Sequence, residues 1–428
     1  MRSGCGMMLL AGLAVVGAGP LNGQDRDGVD RLWAEVETVG GDVLEGFVRW
    51  DRNEVGWGDL LDGDKAVPRE TYLMWARATG DGEVEQRRSV EFMGFTVSWN
   101  EDDPRFPSLA QSGIRFGHLD RLVVLDDQRV ELRLRSGEIV QLQGGSTDLG
   151  TDMRELLVEV PGEETVELEW DDVDEIRFGP APAGVSPREP RLHGTVEDRW
   201  GNRYTGALSW DLDEALASDI LDGEEDGRDR EIPFREIAGI ERDWDGARVL
   251  LTDGQELVLS GSNDVDDGHR GVQISDPGLG MVVVEWDEFD SVRFHPPEAP
   301  TGWADFDGGH RLEGTVITRG GDELTGWIRW DADEEWSWEL LNGEQRDVVF
   351  HVEFGRIDRI ERGSSRSAVV TLLDGRTFEL EGSNDVDRDN KGIFVAVSGS
   401  RTGPDAPDAE WIRIDWDEFQ ELRFHHGN

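Results

Sequence analysis

Of 428 residues only Cys5 carries a thiol. That excludes a disulfide framework, a dithiol redox centre and a cysteine-ligated zinc site. The chain also has just two lysines, Lys65 and Lys391, so nearly all of its 43 basic residues are arginine. Against them stand 93 acidic residues, a formal charge of −50. A field of that sign repels phosphate backbones and anionic lipid, which argues against a nucleic-acid partner and leaves cations, basic protein surfaces and glycans. No apolar run is long enough to span a bilayer. Catalytic signatures are missing as well. There is no Gly-x-Ser-x-Gly, no His-Glu-x-x-His and no glycine loop ending in Lys. The eight histidines, His295 and the pair His425-His426 among them, fall at no zinc or triad spacing. Together these absences predict a non-enzymatic protein.

The first 23 residues read as a secretory signal. Arg2 is the positive start, Met7 to Val16 the apolar stretch, and Ala18, Gly19 and Gly23 the small residues near a cut. Cleavage is expected after Gly23, with Ala18 as the alternative. It removes Cys5, which precedes the apolar stretch where a lipoprotein cysteine would follow it. The expected destination is the periplasm or the outside of the cell.

What is present repeats. The octets Leu44–Asp51 (LEGFVRWD), Tyr204–Asp211 (YTGALSWD) and Leu324–Asp331 (LTGWIRWD) open three modules, which close on Trp170-Asp-Asp-Val173, Trp286-Asp-Glu-Phe289 and Trp416-Asp-Glu-Phe419. Trp210 to Trp330 spans 120 residues and Trp50 to Trp210 spans 160, so the first module carries an insertion, placed at about 64–112. Each module is itself doubled. An aromatic residue with apolar residues at +3 and +6 occurs at Phe354-Ile357-Ile360 and again at Trp416-Phe419-Leu422, with counterparts in the other two modules. Gly321, Asp331 and Asp333 recur as Gly375, Asp385 and Asp387, each 54 residues on. Six related units thus form three pairs.

Apolar residues alternate at Leu324, Ile328 and Trp330, at Val370 and Leu372, and at Ile393, Val395 and Val397, with Asp-Gly and Asn-Gly turns between such runs. The fold class is therefore all-β. A unit of about 55 residues is marginal alone, so paired units should share a core. Four or five short strands with a one-turn helix before the last resemble an SH3-like or Sm-like small barrel. The Gly46-to-Asp51, Gly206-to-Asp211 and Gly326-to-Asp331 spacing is one residue short of the Sm glycine-to-aspartate spacing. The Sm asparagine and second, glycine-rich motif are absent, so no RNA-binding residue carries over. The expectation is three tandem modules, each a pair of such barrels, at 32–178, 191–294 and 310–428, with proline-rich linkers at 179–190 and 295–309. A six-bladed β-propeller is the alternative. Within the insertion, 69–78 is expected to make a helical turn or two and Val90 to Trp99 a strand.

An aspartate follows the second strand of every unit: Asp51, Asp148, Asp211, Asp264, Asp331 and Asp385. The sharpest copies, Asp264-Val-Asp266 and Asp385-Val-Asp387-Arg-Asp389, alternate carboxylates as a Ca²⁺ loop does, and these five are the candidate metal ligands. The EF-hand template fails at its twelfth position, Ser275 or Ala396. The competing reading is that each aspartate caps its own turn. Among 17 tryptophans, Trp50, Trp170, Trp210, Trp286, Trp330 and Trp416 fall on apolar phases and should be core. Trp327, Trp336 and Trp338 lie off phase and are expected at the surface, where with carboxylates they would serve a glycan-binding or glycan-active alternative.

Overall fold

The computed structural model describes residues 29–68, 71, 73–74, 89–92, 95–98, 109–144, 147–397 and 411–426. The segment read as a signal and Cys5 lie outside these, as does much of the insertion. The protein is all-β, built of large antiparallel sheets, with no closed barrel among the described residues. No helix among the described residues is long and apolar enough to cross a membrane.

Module 1 contains β1 (Trp33–Thr38), β2 (Val43–Arg49), β3 (Leu60–Ala66), β4 (Ser89–Phe92), β5 (Phe95–Ser98), β6 (Leu109–Arg115), β7 (Leu119–Asp126), β8 (Arg129–Leu134), β9 (Ile139–Gln143), β10 (Leu156–Glu159), β11 (Thr165–Leu168) and β12 (Val173–Phe178). Module 2 has β13 (His193–Asp198), β14 (Arg203–Ser209), β15 (Ile220–Glu225), β16 (Arg228–Pro233), β17 (Ile237–Asp243), β18 (Gly246–Leu251), β19 (Glu256–Leu259), β20 (Val272–Asp276), β21 (Gly280–Val284) and β22 (Phe289–Phe294). Module 3 has β23 (Glu313–Thr318), β24 (Glu323–Arg329), β25 (Leu340–Gln345), β26 (Val348–Glu353), β27 (Ile357–Arg362), β28 (Ser367–Leu372), β29 (Thr377–Glu381), β30 (Ile393–Val397), β31 (Trp411–Ile414) and β32 (Phe419–Phe424).

All three modules share one strand order. In module 3 it is β31-β30-β24-β23-β32-β27-β28-β29-β25-β26. Module 1 repeats it as β11-β10-β2-β1-β12-β7-β8-β9-β3-β6. Module 2 does so with β15 tied to β19 through the single bridge Glu224–Ser260. Exchanging the first five strands of module 3 with the last five maps this order onto itself. β23–β24 becomes β28–β29, β24–β30 becomes β29–β25, and β30–β31 becomes β25–β26. The doubled sequence is thus a doubled structure, but an interleaved one. Hairpin β25–β26 of the first half hangs on β29 of the second, and β30–β31 of the second hangs on β24 of the first. Neither half holds its own strands together, which is how two marginal units come to share one core.

Local chemistry sets the corners. The one-turn helices Phe116–His118, Trp170–Asp172, Phe234–Glu236 and Phe354–Arg356 each bury their leading aromatic just before a strand. The repeated glycine of the opening octet sits where two strands nearly touch. A Cβ at Gly46 would lie 2.4 Å from the Glu159 carbonyl oxygen, and one at Gly206 would lie 2.2 Å from that of Ser275.

The modules are joined rather than strung. β21 of module 2 pairs antiparallel with β26 of module 3, from Gly280–Val352 to Val283–Val349, and one apolar core runs through both. Residues 303–309, in the segment read as the second linker, pack on module 1. Phe306 is buried against His118, and Arg135 lies 3.6 Å above the Trp303 ring. Leu60, Met281 and Leu340, one from each module, meet in a small cluster.

Two sequence expectations are corrected here. Trp338 is fully buried and Trp336 half-buried, because both pack into the module 1 core; Trp327 is half-buried too. Contacts with module 1, which strand phase does not encode, cover Trp336 and Trp338. Within the insertion, β4 and β5 form a hairpin where a single strand was expected, while Thr71, Leu73 and Met74 are helical as read. The six tryptophans read as core are all buried.

Candidate functional site

The acidic loops after β2, β14 and β24 each bury acids at matching positions, among them Asp51, Asp211 and Asp331. Each begins with a tryptophan whose indole N–H donates to a backbone carbonyl across the module: Trp50 to Asp148, Trp210 to Asp264 and Trp330 to Asp385, all at 2.9 Å. The chain then reverses through two successive left-handed residues. They are Asp51 and Arg52, Asp211 and Leu212, and Asp331 and Ala332, with φ between 41° and 77°. Side chains hold this strained turn in place. Asp51, Asp211 and Asp331 each accept the backbone N–H of a basic residue from the other half-module: Arg154, Arg270 and Lys391.

The second set of recurring aspartates works across strands rather than within its own turn. Asp148, Asp264 and Asp385 accept the backbone N–H of Asp62, Asp222 and Asn342, at 2.8, 2.7 and 2.6 Å. The expectation that each of these aspartates caps its own turn is corrected: the N–H accepted belongs to the hairpin donated by the other half, because the two halves interleave. Asp266 and Asp387 do cap their own turns, accepting from Gly268 at 2.9 Å and Asp389 at 2.7 Å. Asp389 is exposed. The five candidate calcium ligands thus face different ways. Among the described residues no group of three or more His, Cys, Asp or Glu side chains is placed to hold a metal ion.

A third acid per loop, Glu54, Glu214 or Glu334, buries an Oε2 that has no hydrogen-bond partner. Burial, reinforced by neighbouring aspartates, pushes Glu214 up to about 8 and holds Glu54 and Glu334 well above the usual carboxyl range. Burial likewise raises Asp148 to about 8, Asp385 to about 7 and Asp264 to about 6.

The last acid of each loop was not singled out in the sequence, and it is the one that grips a neighbour. Asp59 accepts the N–H groups of Val55 and Gly56, Asp219 those of Ala215 and Leu216, and Glu339 those of Glu335 and Trp336. Each also takes a cation from another module. Arg191 of module 2 clamps Asp59 with both terminal nitrogens. Arg49 of module 1 clamps Asp219 at 2.9 and 3.1 Å. Lys65 of module 1 meets Glu339, with Asp333 3.6 Å away. Burial alone would lower the Lys65 ammonium, but Glu339, Asp333 and Glu334 override it and raise its pKa. A further buried pair, Arg115 with Glu353 at 3.1 Å, joins modules 1 and 3 and holds Glu353 down at about 2 against its burial. The signal available in the sequence was the alignment of Asp59, Asp219 and Glu339, nine residues after each Trp.

These loops are seams. In the module 3 loop the Ser337 hydroxyl lies 3.2 Å from His310 Nδ1, but it also accepts the His310 backbone N–H, and Asp307 approaches the same ring nitrogen at 3.7 Å rather than the opposite one, as the carboxylate of a triad would. The post-strand histidines contribute a repeated surface contact: His295 Nε2 lies 3.0 Å from Thr195 Oγ1, and His425 Nε2 lies 3.1 Å from Thr315 Oγ1. The other ring nitrogen of His295 faces the Pro296 carbonyl at 3.0 Å rather than a carboxylate that would orient a base. The chain matches no family model, no curated protein and no solved structure.

Proposed function

We propose that this chain is an exported protein with a non-enzymatic binding or structural role in the cell envelope or outside the cell. The observation that carries the reading is the shared use of buried charge. All three acidic loops spend their polar groups on the same caps and on cations from neighbouring modules, at Asp59, Asp219 and Glu339. Chemistry repeated in all three loops is architecture; an active site needs a place unlike the others. In this reading each five-membered half of a module's strand order, such as β32-β23-β24-β30-β31, is an SH3-like sheet completed by its sister unit. The route to glycans through Trp336 and Trp338 loses its residues, since both pack against module 1.

Export and inertness are tested together. Produced from its first codon in a secreting host, the mature chain should begin at Gln24, or at Gly19 if cleavage follows Ala18. It should release no product from oligosaccharide, peptide or ester panels. An uncleaved cytosolic chain defeats the export reading, and turnover of any substrate defeats the non-enzymatic one.

A further inference from the structure

Comparing the three modules isolates one surface that the fold does not need. Trp244 is 99% exposed at the two-residue turn between β17 and β18, the most exposed large apolar side chain among the described residues. Trp200, 49% exposed, stands on the turn between β13 and β14. The matching turns of modules 1 and 3 carry no aromatic residue: 127–128 and 363–366 for the first, 39–42 and 319–322 for the second. Sister modules build the same sheet without them, so strand geometry does not account for the two rings.

Both turns stand at one end of the module 2 sheet. β13 and β17 flank β22 on either side, and both run antiparallel to it. The turns are therefore two strand spacings apart, about 10 Å. Asp287 lies between them. Arg199 donates to its carbonyl at 3.3 Å, and Arg242 donates to the carbonyl and to Oδ1 at 2.9 Å each. Arg199 lies 4.8 Å from the centre of the Trp200 ring and Arg346 of module 3 lies 5.3 Å from it, which steadies that ring.

We infer that Trp200 and Trp244 form a binding surface for a neutral polysaccharide. The inference deepens the proposed binding role and rests on it. The charge argument selects the partner. The −50 chain repels polyanions, while at this end Glu288, Asp287 and Asp243 already hold Arg199, Arg242 and Arg248 as countercharges and so do not call for a cationic peptide. A protein interface would need a core depleted of charge, whereas here the Trp200 ring lies beside Arg199 and Arg346 and Trp244 stands between Asp243 and Asp245 in the chain. A sugar ring offers an apolar face to a tryptophan and hydroxyls to the flanking charged groups, which matches that alternation. Two platforms on turns two strand spacings apart suit a chain of sugars over a single one.

The test is affinity electrophoresis of the intact protein through gels holding soluble β-glucan, xylan, mannan or galactan, with pull-down on cellulose and chitin. At least one polymer should retain the protein, and Trp244→Ala and Trp200→Ala should each weaken retention at least tenfold. Trp244→Ala should leave the melting temperature unchanged, since the side chain touches little. Retention by none, retention that Trp244→Ala leaves intact, or Trp244-dependent capture of a polyarginine peptide instead would overturn the inference. A reducing-end assay on the same samples separates the two readings. Trp244-dependent binding with released sugar keeps this surface and defeats the non-enzymatic role, while absence of binding defeats only the surface.

Discussion

Arg191→Met cuts the module 1–module 2 seam at one point. In the native protein both guanidinium nitrogens reach Asp59, and each side chain is 1% exposed. Asp59 also accepts two backbone N–H groups at 2.8 Å, so four donors satisfy one buried charge. The substitution removes two of them together with the countercharge. Truncating one partner of a buried pair costs about 3–5 kcal/mol, because the other charge is stranded. The surviving backbone donors place this case near the lower end, at about 3 kcal/mol. For a cooperative unit of 150–250 residues each kcal/mol moves Tm by about 2–4 °C, so the first calorimetric transition should fall by roughly 6–12 °C. Asp59→Asn in the same background removes the stranded charge and should recover part of the loss. The control is Arg230→Met, whose partner Glu225 lies on the surface with side-chain exposures of 46% and 26%; that change should cost less than about 1 kcal/mol. If the two arginine variants melt alike, or if the double variant loses more than the two singles added together, the buried seam is not what holds these modules.

Stability should fall as pH rises from 5.5 to 8.5. Asp148, Glu214 and Asp385 have folded values of about 8, 8 and 7, above their unfolded values near 4, so their contribution is complete below pH 4 and lost as pH climbs through 7 and 8. Allowing for solvent screening, the loss is on the order of 1–3 kcal/mol, and Glu214→Gln should flatten the melting-temperature profile. Monovalent salt should raise Tm by screening a −50 chain, and CaCl₂ at matched ionic strength should add nothing. An excess for calcium that Asp385→Asn abolishes would restore the metal reading. Gly206→Ala should destabilise by about 1–3 kcal/mol in urea titrations, because its Cβ would meet the Ser275 carbonyl oxygen at 2.2 Å and β14 or β20 must give way; a neutral result would mean that the two strands separate freely.

Much of the fold was legible because it is written in local periods. Alternating apolar residues mark strands, glycine pairs mark turns, and three aligned offsets reveal the doubling within each module. The six tryptophans on apolar phases are core for the same reason. What stayed hidden depends on contacts between segments far apart in the chain. An offset of 54 residues tells that two halves are alike and is silent on whether they fold side by side or exchange hairpins. Trp336 and Trp338 look exposed by phase because module 1, which covers them, begins some 300 residues earlier. The aspartates were recognisable as caps from their position after a strand, but the N–H each one serves belongs to the other half of the module. Trp200 and Trp244 were invisible as a pair, since only the order of β13, β22 and β17 brings their turns to one end.

The seams also give the lopsided basic composition a structural use. An arginine fork takes both oxygens of a carboxylate at once, as Arg191 does with Asp59 and Arg49 with Asp219, so it fixes orientation as well as charge. Both lysines stand instead at the module 3 loop. Lys65 lies between Glu339 and Asp333, and the Lys391 backbone N–H donates to Asp331. A compact ammonium suits Lys65, where three donors must reach two acids and the Asp333 carbonyl from one point. A planar fork would satisfy one of those carboxylates and leave the other buried alone. With acids outnumbering bases by 93 to 43, the scarce cations matter most where modules meet, and the surplus of negative charge is left to the surface. That division explains how a chain so strongly charged packs three modules against one another: at the seams Arg191, Arg49 and Lys65 each meet a buried acid, burial holds Glu54, Glu214 and Glu334 toward the neutral form, and away from the seams the charge is left to solvent and salt.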